Sequence, residues 1–176
     1  MHLDKKKCLW KNFPLVSDCV SITCGYLRSR VTFAKIFGGG MVYLTRLEHF
    51  NAAHKLYNTN WSKEKNEEVF GVCANENWHG HNFELFVTIK GTPDPDTGFL
   101  MDVKKLSQLI REKVIKKVDH KNLNLDVDFL QGKMCSTENL ATGIWKQLAP
   151  HLPNEVRLHC IKLYETPRIY VEYFGE

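Results

Sequence analysis

From His79 to Lys90 polar and apolar residues alternate, and this run constrains the fold more than any other stretch of the 176-residue chain. His79, His81, Phe83, Leu85, Val87 and Ile89 share one face, while Asn82, Glu84, Thr88 and Lys90 take the other, with only Phe86 out of pattern. A period of two over that length predicts a β-strand with one buried face, which turns both histidines toward the core.

The flanking patterns fit around this strand. A first strand is expected from Met41 through Tyr43, Leu44 and Leu47 toward His54, followed by a polar, partly helical insertion around Trp61 to Val69. After the turn-rich link Gly91 to Gly98, Asp102 can cap a helix with the apolar stripe Val103, Leu106, Leu109, Ile110, Val114 and Val118, ending near Asp119-His120. Thr137 can cap a second helix, with Glu138 at the positive end of its dipole and the stripe Leu140, Ala141, Ile144, Trp145 and Leu148. Val156 to Glu165 and Arg168 to Phe174 read as closing strands joined at Thr166-Pro167. The expected class is α+β: an antiparallel β-β-α-α-β-β sheet with two helices on one face.

Gly38-Gly39-Gly40 marks a change of character, and residues 41–176 are expected to form one domain. Residues 1–40 read as a disordered tail, an organelle-targeting peptide or an upstream extension outside the fold; Ser17, Asp18, Ser21 and Thr23 interrupt the apolar stretch that a secretory signal needs. They also account for the formal charge of +4, since they carry +5 and the other 136 residues −1. The folded part therefore offers no electrostatic reason to bind nucleic acid. No window approaches the roughly 18 uninterrupted apolar residues of a spanning helix, so no membrane partner is expected. The six cysteines are irregularly spaced and include no CxxC pair, which suits a reducing cytoplasm better than a disulfide framework. There is no P-loop, GxGxxG turn or internal repeat.

The chemistry concentrates around the alternating strand. His79 and His81 lie about 6.6 Å apart along it on one side, close enough to converge on an ion. An antiparallel neighbour would bring His54 beside them. Three neutral imidazoles would leave Zn²⁺ its double charge and an open fourth position, as in catalytic zinc sites; the other reading is three ordinary core or surface histidines. Cys73, in the link that leads into this strand, is either a thiol activated by the nearby cation or a buried structural cysteine. His120 is either a cation at a helix C-terminus or an imidazole tuned by Asp119 to shuttle protons. Glu165 is either an exposed hairpin charge or a carboxylate able to accept two parallel hydrogen bonds from an amidine-like ligand edge.

Together, Phe50-Asn51-Ala52-Ala53-His54, Phe70-Gly71-Val72-Cys73-Ala74-Asn75, His79-Gly80-His81-Asn82, Asp94-Pro95-Asp96-Thr97-Gly98, Asp119-His120-Lys121-Asn122-Leu123, Ser136-Thr137-Glu138-Asn139 and Tyr164-Glu165-Thr166 resemble the 6-pyruvoyl-tetrahydropterin synthase family from about Met41 to the C-terminus. The resemblance implies the tunnelling fold, a homo-hexamer built from two trimers, Zn²⁺ as cofactor and 7,8-dihydroneopterin triphosphate as substrate. It implies His54, His79 and His81 as zinc ligands, Cys73 as the proton-abstracting residue and Asp119-His120 as its partner dyad. Glu165 would grip the pterin ring, with Thr137 and Glu138 also at the substrate. The 6-carboxy-tetrahydropterin synthases of queuosine biosynthesis are similar in fold, ligands and dyad. The five residues between Cys73 and His79 favour the pyruvoyl-forming reading. A structural zinc protein, with Cys73 closing a His₃Cys site, is the non-enzymatic alternative.

Overall fold

The structure is a computed structural model and describes residues 40–176. The expectation for the N-terminal extension thus falls, apart from Gly40, outside the described residues.

The elements in order are β1 (Val42–His54), α1 (Lys63–Phe70), β2 (His79–Gly91), α2 (Val103–Ile110), a π-helical stretch (Arg111–Ile115), α3 (Lys116–Val118), β3 (Lys121–Asn122), α4 (Thr137–Leu148), β4 (Val156–Thr166) and β5 (Ile169–Tyr173). They build one five-stranded sheet in the order β3-β1-β2-β4-β5, antiparallel except for the short β3, which runs parallel to β1 at Ala52 and Ala53. The β1–β2 ladder is unbroken from Val42 opposite Gly91 to His54 opposite His79. The four long strands match the expected pattern; β3 is an addition to it.

The alternation in β1, β2 and β4 sends Phe50, Phe83, Leu85, Val87, Ile89, Ile161 and Leu163 to one face, where they are buried under the helices. The Phe50 and Phe83 rings stack there at 4.8 Å. From the helices come Leu106, Ile110, Val114 and Val118, then Leu140, Ala141, Ile144 and Leu148. Each fully buried side chain of this kind contributes about 1.5–3 kcal/mol, and together they hold the helices on the sheet.

Two expectations about the helices need correction. Val103 belongs to the expected buried stripe, but it opens α2 beside the Asp102 cap and is 50% exposed. The buried stripe is the strict i, i+4 series Leu106, Ile110, Val114, Val118, which in a pure α-helix would drift about 40° per step. The wider π-helical turn at Arg111–Ile115 takes up part of that drift and keeps the four residues on the core. The cap of α4 is Ser136, whose hydroxyl accepts from the Asn139 N–H, and not Thr137. Thr137 is the first helical residue and is buried.

A carboxylate sits on the core face of β1. Glu48 is 7% exposed, and it accepts from Arg46 at 2.9 Å, Ser107 at 2.7 Å and Arg111 at 3.2 Å. Burial alone would raise its carboxyl, but these hydrogen bonds and the two guanidinium charges win and hold it below the usual value. The sheet is thereby tied to α2 and the π-helical stretch at one polar point.

Candidate metal centre

The β1–β2 register sets the centre. Pairing His54 with His79, and Ala52 with His81, brings three imidazoles to one end of the core face. Their ring centroids lie 4.6, 5.1 and 5.0 Å apart, and one nitrogen from each lies within 4.8 Å of the others. Gly80 between the two ligands is closely approached: a Cβ there would come within 3.2 Å of the Ala52 carbonyl oxygen.

His54 is buried, and its Nδ1 meets the Cys135 carbonyl oxygen at 2.7 Å. A carbonyl only accepts, so Nδ1 carries a proton, and whenever the ring is neutral it is Nε2 that presents the lone pair. That Nε2 has no hydrogen-bond partner, and it faces Glu165 Oε1 at 3.2 Å. With the ring neutral these are two acceptors in contact, which repel unless a proton or a metal ion lies between them. His79 Nδ1 is likewise buried without a partner. Burial, with the neighbouring His54 and His81, holds the His79 imidazole below its ordinary value despite Glu165; burial does the same to His81, again against Glu165. Imidazoles at His79 and His81 that give up a proton readily, orphaned buried nitrogens and an adjacent carboxylate fit a borderline-soft divalent cation.

Glu165 reaches the cluster because β4 pairs with β2 so that Leu163 lies opposite Leu85 and the 161, 163, 165 series follows the core face. A bulge between Tyr164 and Thr166 then leaves Glu165 without a partner on β5. Its carboxylate lies 3.5 Å from His81 Nε2 as well. Contact with His54, then the charges of His81 and His54 and the Thr137 hydroxyl, keep it below the usual range against its burial. Thr137 therefore touches Glu165, while Glu138 is exposed in the first turn of α4.

Cys73 arrives by another route. Gly71, at φ 53, ends α1 with its N–H on the Glu67 carbonyl, and the chain turns into the short 3₁₀ helix Gly71–Ala74 that carries Cys73. The Leu56 N–H donates to the Cys73 carbonyl at 2.9 Å, tying this turn to the chain leaving His54. Cys73 is half-buried and stands outside the group of three converging histidines. Among the described residues Cys73, Cys135 and Cys160 are free thiols.

Asp119 and His120 sit at the β1 edge, fixed by backbone. Asp119 Oδ1 accepts from the Asn51 N–H at 2.9 Å, the His120 N–H donates to the Asn51 carbonyl at 2.6 Å, and His120 Nδ1 lies 3.0 Å from Asp119 Oδ1. His120 adopts a left-handed φ of 57°, and its side chain is 77% exposed. The Asn51 N–H contributes most to holding the Asp119 carboxyl low, with His120 adding to it against slight burial. The dyad is formed, but facing outward.

Sequence reasoning has no signal for the Cys135 carbonyl, since every residue has one, nor for the contact of Glu165 with His54. It also passes over Lys55 and Trp78, which flank the ligands in sequence and meet in space with the Lys55 ammonium 4.4 Å from the Trp78 ring centroid.

A sheet-borne three-histidine cluster that could hold a metal ion, set beside packed helices, defines an α+β protein of the tunnelling class. Comparisons sharpen this. Residues 43–176 match the family 6-pyruvoyl tetrahydropterin synthase. A 6-pyruvoyl tetrahydrobiopterin synthase of Dictyostelium discoideum is 44% identical over 135 residues, covering 77% of this chain and 97% of the relative. Its Homo sapiens counterpart is 40% identical over 142 residues, covering 79% and 97%. The structure of Caenorhabditis elegans 6-pyruvoyl tetrahydropterin synthase superposes with a TM-score of 0.73 at 34% identity, over 78% of this chain and 97% of that one. The chain belongs to the 6-pyruvoyl tetrahydropterin synthase family, a family of lyases.

Proposed function

We propose that this protein is a zinc-dependent lyase that converts 7,8-dihydroneopterin triphosphate to 6-pyruvoyl-tetrahydropterin with loss of triphosphate. The observation that carries the reading is the pair of orphaned buried nitrogens in the three-histidine cluster, in a chain whose family match spans residues 43–176. His54, His79 and His81 would hold the ion. When bound, Zn²⁺ supplies a localised double charge that acidifies the hydroxyls and adjacent C–H bonds of the substrate side chain.

The chain's own residues do the rest. Cys73, on its turn beside the exit of β1, accepts the proton leaving the side-chain carbon. His120, oriented by Asp119, moves protons between side chain and ring, and triphosphate departs with the electron pair of its C–O bond. Glu165 binds the amidine-like edge of the pterin, with the Thr137 hydroxyl holding the carboxylate and Glu138 at the mouth. His120 is exposed on one chain, and β1 from Val42 to Asn51 lies at a sheet edge that β3 covers only at Ala52 and Ala53. Such an edge favours strand pairing between copies, which supports association of this chain with itself; the homo-hexamer of two trimers and the cytoplasmic location belong to the same proposal.

Incubating zinc-loaded protein with dihydroneopterin triphosphate and identifying products by mass tests the reading. The pyruvoyl pterin and triphosphate are expected. A two-carbon aldehyde with 6-carboxy-tetrahydropterin would reassign the reaction to the queuosine-type synthases, and no turnover by the zinc-loaded protein would overturn the assignment.

A further inference from the structure

Trp78 holds a conformation that its side chain disfavours. Its φ is 68°, in the left-handed region where a residue with a Cβ is strained and glycine is at ease. It immediately precedes the ligand His79, and its N–H donates to the Asn75 carbonyl at 3.1 Å to close the turn. A bulky residue kept at such a position points to a use for its side chain. In the structure that side chain meets Lys55.

Lys55 follows the ligand His54. Its backbone is clasped by one side chain, with the Lys55 N–H on Asn124 Oδ1 at 3.1 Å and Asn124 Nδ2 on the Lys55 carbonyl at 3.0 Å. Its ammonium lies 4.4 Å from the Trp78 ring centroid and 5.1 Å from that of Tyr57, within the reach of cation–π attraction. Among the described residues it makes no ion pair. The other lysine of the same cavity, Lys63, is engaged by Glu67 at 3.8 Å. The cavity measures about 770 Å³ and is lined by residues on both sides of Cys73, among them Gly71, Val72 and Ala74. Glu67 and Glu76 also line it.

Aromatic faces attract a cation without occupying its hydrogen-bond donors, so this ammonium keeps them for a ligand, whereas a carboxylate partner would consume them. We propose that Lys55 is a phosphate-binding residue for the triphosphate chain of the substrate and that Trp78 is a positioning residue, holding the ammonium beside the metal centre. This rests on the substrate class assigned above. It names the residues that anchor the leaving group and explains the strained backbone before His79.

The test uses full-length zinc-loaded protein, inorganic tripolyphosphate as probe in calorimetric titration, and steady-state turnover. Chelation of the ion by the probe is common to every variant and cancels in the comparison. Lys55→Met keeps the alkyl stem on the rings and removes the charge; it should weaken tripolyphosphate about tenfold or more and place its kinetic loss mainly on KM. Trp78→Gly suits the left-handed backbone, so it should melt no lower than wild type yet weaken the probe roughly threefold to tenfold, with Trp78→Phe recovering part of the loss. Equal affinity in wild type and Lys55→Met overturns the subsite, and Lys55-dependent affinity that Trp78→Gly leaves unchanged overturns the role of Trp78. Should the wild type fail to turn over dihydroneopterin triphosphate yet bind tripolyphosphate through Lys55, the lyase assignment falls and the phosphate subsite stands. Turnover without Lys55-dependent binding would uphold the lyase and overturn the subsite.

Discussion

The His54 imidazole donates from Nδ1 to the Cys135 carbonyl at 2.7 Å, and this single bond selects the nitrogen that faces His79 and His81. The bond uses the backbone of Cys135, not its thiol. Changing Cys135 to Ala should therefore leave metal content intact, at a stability cost of about 1 kcal/mol for the lost buried sulfur. His79→Ala and His81→Ala should each lose the ion on dialysis, because two neutral ligands hold it poorly. Metal analysis of the three variants checks the contrast, and full occupancy in both histidine variants would place the metal elsewhere.

Cys73→Ala should keep zinc and fold while turnover drops by a factor of about 10² to 10⁴, the usual contribution of a positioned general base. Loss of metal or a collapse in melting temperature would make Cys73 a structural ligand. Alkylation gives a second reading of the same residue. Burial pushes the Cys135 thiol up to about 11 and raises Cys160 as well, whereas Cys73 is half-exposed. Iodoacetamide at pH 8 should label Cys73 first of the three, as peptide mass mapping would reveal.

The Glu48 carboxyl is held below its usual value in the folded state, so its ionisation stabilises the protein above the unfolded value near 4.5 and that contribution fades as pH falls through the lower folded value. Glu48→Gln should lower stability by about 1–3 kcal/mol near neutrality, discounted because Arg46 and Arg111 are substantially exposed. Urea titrations at a series of pH values should show the gap between variant and wild type closing below about pH 4.5. A gap that persists unchanged at pH 3 would trace it to packing.

Gly91 closes β2 where the chain entering β4 comes close. A Cβ there would lie 2.8 Å from the Glu155 carbonyl oxygen and 2.6 Å from Leu100 Cδ1. The leucine can turn away, but the backbone oxygen cannot. Gly91→Ala should cost about 1–3 kcal/mol by overpacking, measured as a lower denaturation midpoint with an unchanged slope.

Much of this architecture is legible in the sequence because burial on a sheet imposes a period of two. Phe83, Leu85, Val87 and Ile89 announce their strand, and His79 and His81 inherit its direction. The legible part stops where tertiary contacts choose between equal local options. Ser136 and Thr137 are both competent caps by type, and the structure uses Ser136 while the Thr137 side chain is buried and bonds Glu165. Val103 is as apolar as Leu106, yet the helix begins too early for it to reach the sheet. β3 consists of two residues and depends on the register of Ala52 and Ala53, which no pattern in Lys121-Asn122 encodes. The approach of Glu165 to His54 depends on how β4 pairs with β2, a relation between residues far apart in the chain.

Because the β1–β2 ladder is uninterrupted, a single register decides whether the three histidines of a molecule converge. A strand displaced by one residue turns every side chain to the opposite face. For β1 that would move Glu48, Phe50 and His54 outward together and bring Asn51, the anchor of the Asp119-His120 dyad, inward. Such a molecule would be wholly dead instead of slow. If the cluster holds an ion as proposed, metal bound per chain would count correctly zipped molecules, and dividing activity by metal should give one constant even where refolding yields vary from batch to batch.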